Sequence, residues 1–164
     1  MMPAGPASLK LSIPNRIESL TSCMDSAEHF LAAQAVDPGD SAQVLIMLDE
    51  IASNIIKAAW PPDEHHHFEI TLSLEPGLLL LLATDDGIAF DPTGGDPPNL
   101  GASLEDREIG GLGLFLVGEM SDSMQYTRTE GQNRLLVTKR MGRPACDQSR
   151  NGEPDTPVID TGND

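Results

Sequence analysis

Three residues spaced along one stretch could do chemistry together. In Ser41 to Trp60 (SAQVLIMLDEIASNIIKAAW), Glu50, Asn54 and Lys57 stand at i, i+4 and i+7. At 3.6 residues per turn these positions fall within about 60° of one another on a helix. A carboxylate, an amide and an ammonium then share one narrow stripe. Carboxylate and amide oxygens are hard ligands of the kind Mg²⁺ takes, and an ammonium complements phosphate. A plain solvated helix face with an i, i+7 charge pair has the same composition, so the stripe takes its meaning from residues farther along the chain. Two signals lie there. Thr84-Asp85-Asp86-Gly87 ends an apolar run. An acidic residue at a strand terminus, with a glycine to turn the backbone, leaves a carboxylate facing a pocket. There it can accept a hydrogen bond from an exocyclic amine such as adenine's. Farther on, Glu108-Ile109-Gly110-Gly111-Leu112-Gly113-Leu114 opens a helical pattern. Small residues there let backbone N–H groups approach phosphates at the positive end of the helix dipole.

These groups need a scaffold, and the hydrophobic periodicity predicts one. Val44, Leu45, Leu48, Ile51, Ala52, Ile55, Ile56 and Ala59 recur at three- and four-residue spacing, so 41–60 is a helix with one wide face on a core. Asp40 or Ser41 would cap it, and Pro61-Pro62 would end it. Before it, Ala7 to Ile13 alternates with period two as an edge strand. A helix is expected from Arg16 to about Ala35, capped by Asn15. After it, Phe68–Leu74 and Leu78–Ala83 read as strands joined by a tight turn at Glu75-Pro76-Gly77. LLLLLA shows no alternation, which predicts a central strand buried on both faces. Residues 91–108 hold three prolines and three glycines, the composition of a functional loop or lid. A helix over 110–121 and strands over 124–128 and 134–139 complete the pattern, the last two turned by Glu130-Gly131-Gln132-Asn133. His65, His66 and His67 alternate sides of a strand with no partner at ligand spacing and are expected at the surface.

Composition narrows the function. The chain has 164 residues, enough for one domain, and is 39% hydrophobic but only 4% aromatic, so its core is aliphatic. Formal net charge is −16, from 26 acidic against 10 basic residues, which argues against direct nucleic-acid or anionic-membrane partners. ATP is still admissible, because backbone N–H groups and a metal can hold it. Cys23 and Cys146 lie in unlike contexts, which excludes a zinc site, disfavours a disulfide and suits a reducing compartment. No N-terminal apolar region or apolar run of membrane length is seen, which predicts a cytoplasmic protein. Residues 1–6 are expected to be frayed, 7–141 to form the domain, and the acidic tail 142–164 to be disordered.

The order is distinctive: helix with E-x-x-x-N, strand ending in DxG, loop, GxG at a helix start, and two strands closing on Thr138-Lys139. It resembles the GHKL ATPase superfamily, and most closely its small stand-alone branch of anti-sigma factor serine kinases. REIGGLGLFLV and NRLLVTKR are the most specific stretches. There is no GxxxxGK[ST] phosphate loop and no HRD or DFG element. The resemblance implies a two-layer α/β sandwich of Bergerat type, a mixed, mostly antiparallel sheet with helices on one face.

The resemblance also implies roles. Glu50 matches the glutamate proposed as general base, Asn54 the Mg²⁺-binding asparagine, and Lys57 a basic residue near the phosphates. Asp85 matches the adenine-reading aspartate, with Gly87 beside it and Ala89 where the family's second glycine stands. Gly110, Gly111, Leu112 and Gly113 match the phosphate-side segment, residues 92–110 the nucleotide lid, and Thr138 the base of the pocket. Ile109 occupies the place of an arginine found in some relatives, and Arg107 lies two residues earlier. The implied function is an ATP- and Mg²⁺-dependent serine/threonine kinase of the partner-switching type. It would be a homodimer that phosphorylates a STAS-domain antagonist and sequesters a sigma factor. The alternatives are an ATP-binding regulatory module without phosphotransfer and, third, a histidine-kinase catalytic domain.

Overall fold

The computed structural model describes residues 6–94 and 111–142. The expectations for 1–5, for Arg107 and Gly110, for most of the lid and for residues 143–164 fall outside that range. Five strands, β1 (Ala7–Pro14), β2 (His67–Glu75), β3 (Leu78–Asp85), β4 (Ser123–Thr129) and β5 (Gln132–Arg140), form one sheet in the order β1-β2-β3-β5-β4. All four pairings are antiparallel. Three helices, α1 (Ser19–Ala33), α2 (Pro38–Ala58) and α3 (Gly111–Met120), cover one face, with α2 in the middle against α1 and α3.

The sheet's alternation decides which side chains meet the helices. Phe68, Ile70 and Leu72 of β2, Leu79, Leu81 and Ala83 of β3, and Leu135 and Val137 of β5 are buried beneath Val44, Met47, Leu48, Ile51 and Ala52 of α2. Leu78, Leu80 and Leu82 point the other way and are only half-buried. The expectation that β3 is buried on both faces is thus corrected: among the described residues helices cover one side alone, and the second leucine set forms a half-buried apolar strip on the other.

Turn chemistry closes the hairpins. Pro76-Gly77, with Gly77 at φ 71°, joins β2 to β3. Glu130 and Gly131 both take positive φ, at 53° and 77°, so β4 and β5 are joined by a two-residue turn of the primed kind. Asn133 therefore lies inside β5, not in the turn where the residue pattern put it.

Helix ends differ from expectation for local reasons. α2 starts earlier than 41: Asp37 is its N-cap, accepting Gly39 N–H at 2.9 Å, and Pro38 sits at N1, where no N–H is needed. α1 begins at Ser19 without a side-chain cap. Asn15 instead bridges to the start of β2, accepting His66 N–H and donating to the Glu64 carbonyl, each at 2.9 Å. Ala35, at φ 54°, closes α1, with Val36 N–H returning to the Leu31 carbonyl and Ala35 N–H to Ala32. Lys139, buried on the inner face of β5, donates from Nζ to the Met120 carbonyl at 3.1 Å and ties down the end of α3.

Candidate functional site

A cleft opens between α2 and the β3–β5 end of the sheet. Asn54, Asp85 and Asn133 bring polar atoms to it, and Ile51, Ala83 and Leu135 supply part of its apolar wall. Two elements thus deliver two of the chemistry-bearing residues to one place. Asn54 comes from the helix stripe and Asp85 from the end of β3.

Asn54 stands out electrostatically. Its Oδ1 is buried and has no hydrogen-bond partner among the described residues. An orphaned buried amide oxygen is costly, on the order of 1–3 kcal/mol, unless something arrives to bind it. A hard cation or a water in its shell is such a partner, so the residue fits the Mg²⁺ role expected of it from the family resemblance.

Glu50 lies one turn earlier, half-buried, and does not line the cleft. Its carboxylate packs on α3: a Cβ added to Gly113 would overlap Glu50 Oε2. The glycine in the third position of α3 leaves room for that carboxylate; with a side chain there, Glu50 would have to swing aside. That seat puts a carboxylate at the first turn of a helix, where the dipole favours negative charge. For Gly111, by contrast, no atom of the described residues lies within 4 Å of an added Cβ, and Leu112 is exposed.

Asp85 is held by its surroundings. Its Oδ1 accepts Gly87 N–H and Asn133 Nδ2, both at 2.9 Å. Gly87 has no positive φ; a side chain there would run into the carbonyl oxygen of Ala59, which accepts Ile88 N–H at 2.8 Å. The tight point of this turn is its contact with the end of α2. Ala89 likewise keeps φ negative and is exposed, so alanine brings no backbone strain there. Trp60, the single tryptophan, donates from Nε1 to Asp86 Oδ1 at 3.1 Å and stacks on His66, ring centroids 4.8 Å apart and 6° from parallel. His65 and His67 are exposed.

Of the expected site residues among those described, only Asn54 and Asp85 line the cleft; Gly87, Ala89, Gly111, Leu112 and Gly113, like Glu50, lie outside its lining, and Thr138 and Lys57 are turned away from it. Thr138 alternates with the buried Val137 and Lys139, so it faces the open side of the sheet, where its hydroxyl meets Ser123 Oγ at 2.6 Å. The inward residues of β5 at the cleft are Asn133 and Leu135. Lys57 is exposed and outside the cleft lining. Three residues that sequence reasoning passed over, Tyr126, Arg128 and Asn133, form a polar group against Asp85. Period-two counting back from Lys139 through Val137 and Leu135 was the signal that could have placed Asn133 inward. Cys23 is buried in the core. Burial and, second, the nearby Asp49 carboxylate push its thiol up to about 11.

Comparison with known proteins bears on the whole arrangement. The family model described as histidine kinase-like ATPase domain matches residues 13–139. The serine/threonine-protein kinase BtrW of Bordetella bronchiseptica is 34% identical over 90 residues, 55% of this chain and 63% of that protein. The serine-protein kinase RsbW of Bacillus cereus is 27% identical over 116 residues, 68% of this chain and 71% of that one. The match to BtrW thus spans a little under two thirds of that kinase. Among solved structures, the RsbU and RsbW domains of a Mycobacterium tuberculosis protein superpose with a TM-score of 0.62 at 16% identity, covering 85% of this chain and 34% of that one. The SiaB–SiaC complex from Pseudomonas aeruginosa gives 0.53 at 17% identity, covering 80% and 88%. At these identities the two structures speak for the fold. Because the family match runs from the end of β1 to the end of β5 and takes in every element between, the chain belongs to the histidine kinase-like ATPase domain family.

Proposed function

We propose that this chain is an ATP-dependent protein serine/threonine kinase of the partner-switching type. It binds ATP and Mg²⁺ in the cytoplasm, phosphorylates a serine on a STAS-domain antagonist, and sequesters a sigma factor. The observation that carries the reading is the pairing in one cleft of an unpartnered amide oxygen, Asn54 Oδ1, with a pinned carboxylate, Asp85. The kinase names of the relatives BtrW and RsbW support the transfer step.

In this reading the base enters at the Asp85 end, between Ile55 of α2 and Leu135 of β5. The phosphates run toward the start of α3, whose N–H groups and small residues accommodate them. Asn54 would hold the Mg²⁺ ion, which offsets the charge of the phosphates when bound. Glu50, seated against Gly113, accepts the proton of the serine hydroxyl as its oxygen bonds to the γ-phosphorus and the bond to the β–γ bridging oxygen breaks, releasing ADP. Arg107, Lys57 and the segment around Gly110 are further proposed contacts of the phosphates. The half-buried leucines 78, 80 and 82 on the open face of the sheet support a homodimer built there.

One observation favours a second reading, an ATP-binding regulator without phosphotransfer: Glu50 rests on α3 and not in the cleft lining. Incubation with γ-labelled Mg-ATP and a STAS-domain protein separates the two. The kinase yields acid-stable phosphoserine on the partner; label lost in acid would indicate histidine transfer, and no label would leave the regulator.

Asn54→Ala provides a narrower check. Relieving a buried orphan oxygen leaves stability unchanged or slightly raised, while affinity for ATP in the presence of Mg²⁺ falls about tenfold and metal-free affinity is unaltered. Calorimetric titrations with and without Mg²⁺ read this difference; equal affinities in wild type and variant would remove Asn54 from the metal's site.

A further inference from the structure

We infer that Asn133 is the positioning residue for base recognition: it holds the Asp85 carboxylate so that a purine 6-amino group meets one fixed oxygen. The inference rests on the nucleotide reading above and adds a residue which that reading did not contain. Strand register creates the arrangement. Asp85 of β3 pairs with Asn133 of β5, which pairs with Arg128 of β4, so the three form one row across the sheet. The neighbouring row on the same face is Ala83, Leu135 and Tyr126. A polar row thus borders the apolar row at the rim of the cleft.

Asn133 is 6% exposed, and its amide is saturated. Nδ2 donates to Asp85 Oδ1 at 2.9 Å and to the Ile88 carbonyl at 2.8 Å. Oδ1 accepts from Tyr126 Oη at 2.7 Å and from Arg128 Nη1 at 2.6 Å. Two donors and two acceptor positions are all that an amide has. Arginine can only donate, so the amide cannot be flipped without setting Nδ2 against a guanidinium and Oδ1 against two acceptors.

The consequence falls on Asp85. Its Oδ1 takes both N–H donors, from Asn133 and Gly87, which leaves Oδ2 as the oxygen available to a ligand. Arg128 also donates from Nη1 to the Gly87 carbonyl at 3.1 Å, so the same row clamps the turn behind the carboxylate. Asn133 stands between Arg128 and Asp85. It passes on the guanidinium's positional hold without letting that cation pair with the carboxylate and cover it.

The test compares ATP with purine riboside triphosphate, which lacks the 6-amino group, on the full chain. Wild type should prefer ATP by about tenfold or more, as expected of one hydrogen bond to a charged group. Asn133→Asp keeps the shape and the bonds from Tyr126 and Arg128, but turns the donor that faces Asp85 and the Ile88 carbonyl into an acceptor. It should bring the ATP preference close to one while leaving affinity for the 6-amino-free analogue within about threefold of wild type. Equal weakening of both nucleotides, with the preference kept, would make Asn133 merely structural and overturn the inference; so would no change at all. No preference in wild type would instead remove Asp85 as the reader of the amine, a failure of the underlying nucleotide reading. Should Asn133→Asp not fold, Asn133→Ala, which adds no charge, is judged by the same ratio. Loss of the fold in both assigns Asn133 to the scaffold and ends its positioning role.

Discussion

Replacing Glu50 by glutamine lowers phosphate transfer to the partner serine by about two orders of magnitude and leaves ATP affinity within a few-fold. Glutamine keeps the length and contour of a side chain that packs on Gly113, so neither α2 nor α3 has reason to move. What it lacks is the negative charge and the capacity to take a proton. A general base contributes typically 10²- to 10⁴-fold, with the lower end expected for phosphoryl transfer because the nucleophile is deprotonated late. Single-turnover transfer from γ-labelled ATP, beside a nucleotide titration of the same preparation, separates the outcomes. Parallel loss of binding and transfer would place Glu50 in the metal's shell, and full transfer would end its candidacy as base.

Gly87→Ala has the largest effect expected on the fold and the site together. The added Cβ would meet the carbonyl oxygen and the side chain of Ala59, at the join where Ile88 N–H bonds to that same oxygen. The obstacle is backbone at the end of a long helix, so it cannot swing aside as a side chain would. The turn must shift, and Gly87 N–H is then lost to Asp85 Oδ1. Overpacking of this kind costs about 1–3 kcal/mol, and ATP affinity should fall at least tenfold with it. Urea denaturation and calorimetry read the two effects. Gly111→Ala, made where no atom of the described residues lies within 4 Å, is the matched control and should be near neutral in stability. A Gly87→Ala protein as stable as wild type and with full ATP affinity would show that the contact with Ala59 does not constrain the turn.

Much of this was legible from residue pattern because local rules and tertiary needs agreed. β1 and β2 alternate apolar with polar residues, and the apolar set faces the helices, buried or half-buried. Pro76-Gly77 turns where its φ preferences require. The E-x-x-x-N spacing on α2 does deliver Asn54 to the cleft beside Asp85, although four residues of helix also carry Glu50 under α3. What misled was competition between local options. Asn15 was an available cap, but two backbone groups at the start of β2 claimed its amide. Asp37 preceded a proline and so outcompeted Asp40 and Ser41 as the start of α2. LLLLLA carries no signal for which of its faces a helix covers. Thr138 and Asn133 were misassigned through register: a two-residue turn at Glu130-Gly131 fixes the parity of β5, and parity alone decides that Asn133 looks into the cleft and Thr138 away from it.

Central to the proposed function is that the cleft between α2 and the sheet is an adenine-nucleotide site read by Asp85. Calorimetric titration of the wild-type chain with ATP and with GTP, both in Mg²⁺, tests this most directly. A carboxylate accepts from adenine's 6-amino group, whereas guanine sets a 6-oxo acceptor against it and leaves both groups unsatisfied. The predicted result is one ATP bound per chain, with GTP at least tenfold weaker. Equal affinity for the two, or no heat with ATP, would contradict it.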